Sequence, residues 1–477
     1  MKKVLSLLVA VILAVSALSV FSGAVSETDF NDLQFTLVSQ TGSGINFIDD
    51  DVLLEGKYCM RGFAASPDGK YLFGGTLNPS NASAIIRFDT ETGHAGAYWY
   101  YEQTEGESVG TRSYPKGLAA DDRGYLYVGL AYNPNKIRAY LAVVKTDEVK
   151  DDLMKTVSVV PVYVDENNTK VGVNGVAVKC VNGKYYAYVI VNYNEDYLYR
   201  FDVTSPESPV LDTTFGNGGR VDLQKITTTT SGAITEGNYI DVDDDGSIYM
   251  GFTAASGAGL IKLSEEGNTV LAEVAQATGY AVALVEDYVL CASQKNGSEV
   301  VVYDKISLEK KTSFTITTTN TVLPYPESYN LAFLNPVNSI VGMRYVNGVL
   351  YLCDQTSSNA GFDQIFAVGI TAEGKANLKA YTDLLEANAK ALVETTAAPE
   401  TTEAPAVETT EAPAVETTAA PAEETTEAPA VETTAAPAAE TTAAPAPAKK
   451  GCGSFASIAL LPAALVLSAV VIRRKKD

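Results

Sequence analysis

The chain has 477 residues but only one histidine, His94, and one tryptophan, Trp99. A single imidazole excludes any centre that needs two, HExxH zinc proteases and His-rich metal sites among them. A Ser-His-Asp triad would have to be built on His94 alone. Cysteine is scarce too. There are five, with no CxxC pair, so neither a zinc knuckle nor a dithiol redox motif is supported. Cys59, Cys180, Cys291 and Cys353 lie in the body of the chain; Cys291 and Cys353 hold similar second-strand positions in apolar surroundings, which predicts buried free thiols packed as small hydrophobes, a disulfide being the alternative. Positive charge is the third shortage. Lys and Arg number 35 against 58 Asp and Glu, a net charge of −23. Without residues 1–24 and 473–477 the count is 29 against 57, or −28. A surface that acidic repels phosphate backbones and excludes nucleic acid as a partner.

Both ends read as addresses. Met1-Lys2-Lys3, the apolar run Val4 to Val20 and the small residues Ser22-Gly23-Ala24 match the three regions of a signal peptide, here 1–24. Ser454 to Ile472 is an uncharged stretch of 19 residues, long enough to cross a bilayer. Arg473-Arg474-Lys475-Lys476 follows and would stay cytoplasmic. The expected location is therefore the cell surface, with residues 451–477 as anchor and tail. Gly451-Cys452-Gly453, set just before the span, resembles the small-residue Cys motif of bacterial C-terminal sorting signals. The resemblance implies processing or lipid attachment at Cys452. An uncleaved anchor with an incidental cysteine is the competing reading, and no LPxTG motif precedes the span.

Residues 393–450 form an octapeptide array typified by Glu400-Thr-Thr-Glu-Ala-Pro405-Ala-Val407. Regular proline blocks a long helix, and nothing in the array can build a core. An extended spacer is expected, reaching on the order of 175 Å at ~3.1 Å per residue.

What remains, 25–392, is built from repeats. One phrase runs Gly62-Phe-Ala-Ala-Ser-Pro-Asp68-Gly69-Lys-Tyr71-Leu-Phe73-Gly74 and returns from Gly117, Gly175 and Tyr239, with weaker copies from Tyr280 and Val341. Each copy is an alternating apolar strand, an Asp-Gly or Asn-Gly turn and a second strand, the signature of a β-hairpin. A third strand follows in most copies, as in Ile85–Asp89, Leu198–Asp202, Leu260–Leu263 and Val300–Asp304. Turn glycines 69, 124, 183 and 246 are 55, 59 and 63 apart. Six such units predict an all-β fold, a six-bladed β-propeller. Leu33 to Val38 would close the ring, and a seventh, degenerate blade could occupy the gap between Asp304 and Val341. Helical patterning is confined to Asn377–Val393. The Ser66-Pro-Asp-Gly-Lys-Tyr-Leu72 phrase, with Ile85-Ile-Arg-Phe-Asp-Thr-Glu-Thr-Gly93 after it, resembles bacterial propeller repeats of the YVTN, NHL and quinoprotein-like class. That class includes lactonases, dehydrogenases and surface proteins, so the resemblance implies a fold and not a function.

Four candidate sites stand out. Arg61, Lys116, Asn174 and Asn238 each lie one residue before a first-strand start, so they should point to one end of the central channel. Two cations there could take an anionic group; a solvated polar lining is the bland alternative. Tyr98-Trp99-Tyr100-Tyr101 is the densest aromatic run, either a sugar-stacking platform or filling between blades. Asp241-Val-Asp243-Asp-Asp245-Gly246 opens like a calcium loop, but position nine is Tyr249 and position twelve Phe252, so an acidic hairpin turn is the better reading. No cofactor is expected, calcium being the only ion this turn would suit. Cys452 is the fourth.

These features favour a non-enzymatic binding module on a stalk, with a glycan, peptide or protein of the cell surface as partner. A surface hydrolase of the propeller lactonase type, with a channel metal near Glu236, Asn174 and Asn238, is the alternative. A structural surface-layer protein is the third reading.

Overall fold

A computed structural model describes residues 24–41, 59–77, 85–98, 112–133, 138–148, 156–164, 171–193, 196–229, 231–254, 256–276, 279–292, 297–355 and 363–397. The signal-peptide run, the octapeptide array, the apolar stretch before Arg473, Cys452 and Trp99–Tyr101 lie outside the described residues, as does the Tyr98 side chain. Among the described residues no helix is long and apolar enough to cross a membrane.

The fold is a six-bladed β-propeller made of six antiparallel sheets. In the first blade, strands Cys59–Ala65, Tyr71–Leu77, Ile85–Asp89 and Ala95–Tyr98 run from the channel outwards. The innermost strands of the next five blades are Arg112–Ala120, Val171–Val181, Gly232–Val242, Val282–Val285 and Ile340–Val346. All four segments expected to be third strands are third strands. The seventh blade is absent: among residues 316–339 lie two short 3-10 turns and the two-residue strand Thr321–Val322. That strand pairs in parallel with Phe35 and Thr36 at the outer edge of the sixth blade.

Ring closure follows the sequence. Phe35–Gln40 forms the fourth strand of the last blade, antiparallel to Gln364–Gly369. Phe35, Leu37 and Val38 are fully buried there. Joining the two chain ends in one sheet removes the edge that an open ring would expose. The core is distributed between neighbouring blades; one cluster joins Met60, Phe63 and Phe88 of the first blade to Val341, Tyr351 and Ile365 of the sixth.

The hairpin turns divide into two kinds. Asn182-Gly183 and Asn347-Gly348 have both residues at positive φ, as a two-residue type I′ turn requires. At Asp68-Gly69 and Asp245-Gly246 only the glycine is positive, and the loop is longer: Ser66 N–H donates to Tyr71 O, and Gly69 N–H to Ser66 O. In the fifth blade Glu286, not Asp287, takes the positive φ.

A single helix, α1 (Ala372–Ala397), starts earlier and ends later than the Ala/Leu pattern suggests. Thr371 Oγ1 accepts the Gly374 N–H at 3.0 Å and caps its start. Leu378, Tyr381 and Leu385 are buried in the first/sixth-blade cluster, so packing sets the helix length more than its own pattern does. Cys291 and Cys353 are buried thiols as expected, but Cys180 is exposed. It pairs with Tyr185, close to the Asn182-Gly183 hairpin tip.

Candidate functional site in the central channel

Five of the six innermost strands carry a register shift; Val282–Val285 of the fifth blade pairs without one. The shifts fall between Met60 and Gly62, Pro115 and Gly117, Val173 and Gly175, Gly237 and Ile240, and Ile340 and Gly342. The extra residues in these bulges are Arg61, Lys116, Asn174, Asn238 with Tyr239, and Val341. A bulge turns a side chain away from the pleat, and here the four expected residues occupy the same level of the channel. Tyr280 is their counterpart in the fifth blade.

Glycine explains why the strands come so near. A Cβ on Gly62 would lie 2.5 Å from Lys116 O, and one on Gly175 2.8 Å from Asn238 O. Any side chain there would push neighbouring blades apart.

Two of the bulged residues, Lys116 and Asn174, join a hydrogen-bonded girdle with Glu236 and Asn192. Lys116 Nζ donates to Asn174 Oδ1 at 3.2 Å, and Asn174 Nδ2 donates to Glu236 Oε1 and Gly237 O, both at 3.0 Å. Glu236 Oε1 also accepts from Asn192 Nδ2 at 2.7 Å. Asn238 turns outwards from this group to Gly279 O at 2.8 Å and Thr253 Oγ1 at 3.4 Å. Behind Glu236 lies buried Asp196, which accepts from Gln224 Nε2 at 3.1 Å. Burial first, with Glu236 adding repulsion, pushes the Asp196 pKa up to about 6.

Arg61 belongs to a second group. Its carbonyl accepts the Tyr239 hydroxyl, and its side chain bonds to Tyr280. The Tyr239 and Tyr280 rings meet edge-on with centroids 4.9 Å apart. The first and fourth blades stand opposite each other in a six-membered ring, so the Tyr239–Arg61 bond crosses the channel. Burial raises the pKa of both tyrosines, keeping them neutral.

Three residues further along each innermost strand is a second level: Ala64, Ala119, Ala177, Asp241, Ala283 and Arg344. Ala119 and Ala177 of this level line a funnel of about 370 Å³, while Ala64 and Ala283 are buried in the blade cores. Arg344 reaches across it. Nη2 donates to Leu118 O of the second blade at 3.0 Å, and Nη1 to Met343 O at 2.8 Å.

The acidic turn does not converge. Asp241 accepts from Leu284 N at 3.0 Å and from Val242 N, Asp243 pairs with Lys305 at 3.1 Å, and Asp245 accepts from Ser247 N at 2.8 Å. Among the described residues no cluster of three His, Cys, Asp or Glu could hold a metal ion.

Tyr239, Tyr280, Asn192 and Arg344 were not singled out from the sequence. A signal was available for two of them. In the aligned repeats Tyr239 stands where other copies have glycine or alanine, and Arg344 where four copies have alanine. A large or charged residue at a small-residue position is the mark that was missed.

No protein-family model matches the sequence, and no curated protein is similar to it. Solved structures similar in fold include BamB from Moraxella catarrhalis, 13% identical, covering 64% of this chain and 85% of its own, with a TM-score of 0.33. The WD40 propeller of Doa1 is 10% identical over 70% of this chain and 96% of its own, TM-score 0.37. A quinohemoprotein alcohol dehydrogenase from Pseudomonas putida is 12% identical over 63% and 58%, TM-score 0.33. At such scores these likenesses add nothing to the reading of the channel.

Proposed function

We propose that this propeller is a non-enzymatic binding module displayed at the cell surface, held by the 451–477 anchor on the 393–450 spacer. It recognises a glycan, peptide or protein of that surface through the girdle at its channel mouth. The observation that supports this reading most is the Lys116–Asn174–Glu236–Asn192 chain. It offers an ammonium, amides and a carboxylate at one level, a set suited to hydroxyl and peptide groups. The test is capture of labelled surface glycans and peptides by the full chain, compared with Lys116→Ala and Glu236→Ala variants. Binding lost in both variants supports the mouth as the site; binding retained in both removes it.

The alternative, a hydrolase with a channel metal such as calcium, draws on one contact: Glu236 and Asn174 do meet at 3.0 Å. Against it, Lys116 Nζ sits on Asn174 Oδ1, the oxygen a cation would need. A stoichiometric divalent ion in purified protein would favour the hydrolase. A surface-layer role would show as self-association of the chain.

A further inference from the structure

The lower funnel poses a different problem from the mouth. Arg344 carries five N–H donors and cannot be deprotonated under ordinary conditions. Two of the five go to backbone carbonyls, and among the described residues it makes no ion pair. Its environment is costly for a cation. Burial lowers the Arg344 pKa, with Asp241 and Tyr239 opposing that shift through space rather than by contact. Arg200 and Arg123, by contrast, pair with Asp212 at 2.8 Å and with Asp121 at 2.6 Å. Arg87 resembles Arg344 in bonding to backbone carbonyls, those of Thr146 and Asp147, but it lies over the Tyr71 ring, whereas Arg344 is half-buried against open space.

That space is shaped. Ala119, Ala177 and Val178 form an apolar wall, Arg344, Asp241 and Lys179 are its charged groups, and about 370 Å³ lies between; Lys179 is already paired with Asp244 at 2.5 Å. The volume falls in the range of small-molecule pockets. Arg344 has three further N–H groups beyond the two given to carbonyls, and a guanidinium can meet a carboxylate with two parallel hydrogen bonds. Asp241 still has lone pairs beyond those used by Leu284 and Val242 N–H, so it can accept from an ammonium or hydroxyl on the same ligand.

We infer that the funnel is a binding site for a small organic carboxylate of amino-acid or hydroxy-acid size, its carboxylate on Arg344 and its donor group towards Asp241. This goes beyond the mouth reading and does not depend on it, because the two levels use different residues.

The test is calorimetric titration of the full chain with L-alanine, L-lactate, acetamide and inorganic phosphate. Alanine or lactate should bind, while neutral acetamide should not. Arg344→Gln should weaken that binding by about 10- to 100-fold, the loss of a charge-assisted pair. Ala120→Leu, which narrows the funnel and leaves Arg344 in place, should weaken it as well and guards against a misfolded Arg344 variant. The proposal is overturned if neither acid binds, if phosphate alone binds, or if Arg344→Gln keeps the wild-type affinity.

Discussion

The channel has two levels three residues apart, and they differ in how their polar groups are satisfied. At the bulge level Lys116, Asn174, Glu236 and Asn192 answer one another. At the alanine level Arg344 faces space with only carbonyls for partners. A network whose members bond to one another stabilises whether or not anything binds, although Asn192 Oδ1 is left without a partner. An unmatched charge in a funnel contributes little to the fold, so its presence calls for a ligand. The same six-fold repeat therefore yields one level whose side chains bond to one another across blades and one where Arg344 departs from the alanine pattern.

Substitutions should separate the levels, beginning where the ring itself is at stake. Gly62→Val drives a side chain against Lys116 O and Pro115 O, which should cost about 3 kcal/mol or more and shift the urea midpoint strongly. A smaller loss is expected from Glu236→Ala, which leaves the buried Asn192 amide without its acceptor and Asn174 with Gly237 O alone; about 2 kcal/mol in the same assay is the expected size. Lys116→Met removes one donor from Asn174 and should cost about 1 kcal/mol. Arg344→Met, by contrast, should change the stability of the unliganded protein by less than about 1 kcal/mol, since relief of an unmatched buried charge offsets two lost carbonyl bonds. Equal losses for Lys116→Met and Arg344→Met would erase the distinction between the levels.

Asp196 gives a pH signature to the mouth. Its folded pKa, about 6, lies above the ordinary 3.8. The folded state thus holds the proton more tightly, and this contribution to stability is complete below the ordinary value and lost as pH rises through 6. Asp196→Asn should abolish that loss, raising Tm at pH 7 by about 2 °C relative to its effect at pH 4. Thermal scans at the two pH values decide it; an equal effect at both would remove Asp196 from the account.

Much of this was legible in the sequence. The Asp-Gly and Asn-Gly turns fix hairpins because few other dipeptides accept their φ angles, and the apolar Leu33–Val38 segment announced ring closure. The ring residues Arg61, Lys116, Asn174 and Asn238 could be aligned because a glycine or tyrosine follows each, seven residues before the turn glycine in three copies and eight in the copy from Gly175. The rest depends on which blade faces which. That Tyr239 spans to Arg61, or that Arg344 reaches Leu118, follows from closure of the ring and not from local spacing. Blade three shows the same limit: Val210–Leu211 and Arg220–Asp222 share its outer edge, each pairing with part of Tyr197–Asp202. No periodicity marks strands of two and three residues.

The most direct test of the two-level account is a crystal of the full chain soaked in 3-bromobenzoate, with bromine located by anomalous diffraction. The account predicts a peak in the funnel, with the carboxylate on the Arg344 guanidinium, and none among Lys116, Asn174 and Glu236. Bromine at the mouth with the funnel empty would contradict it.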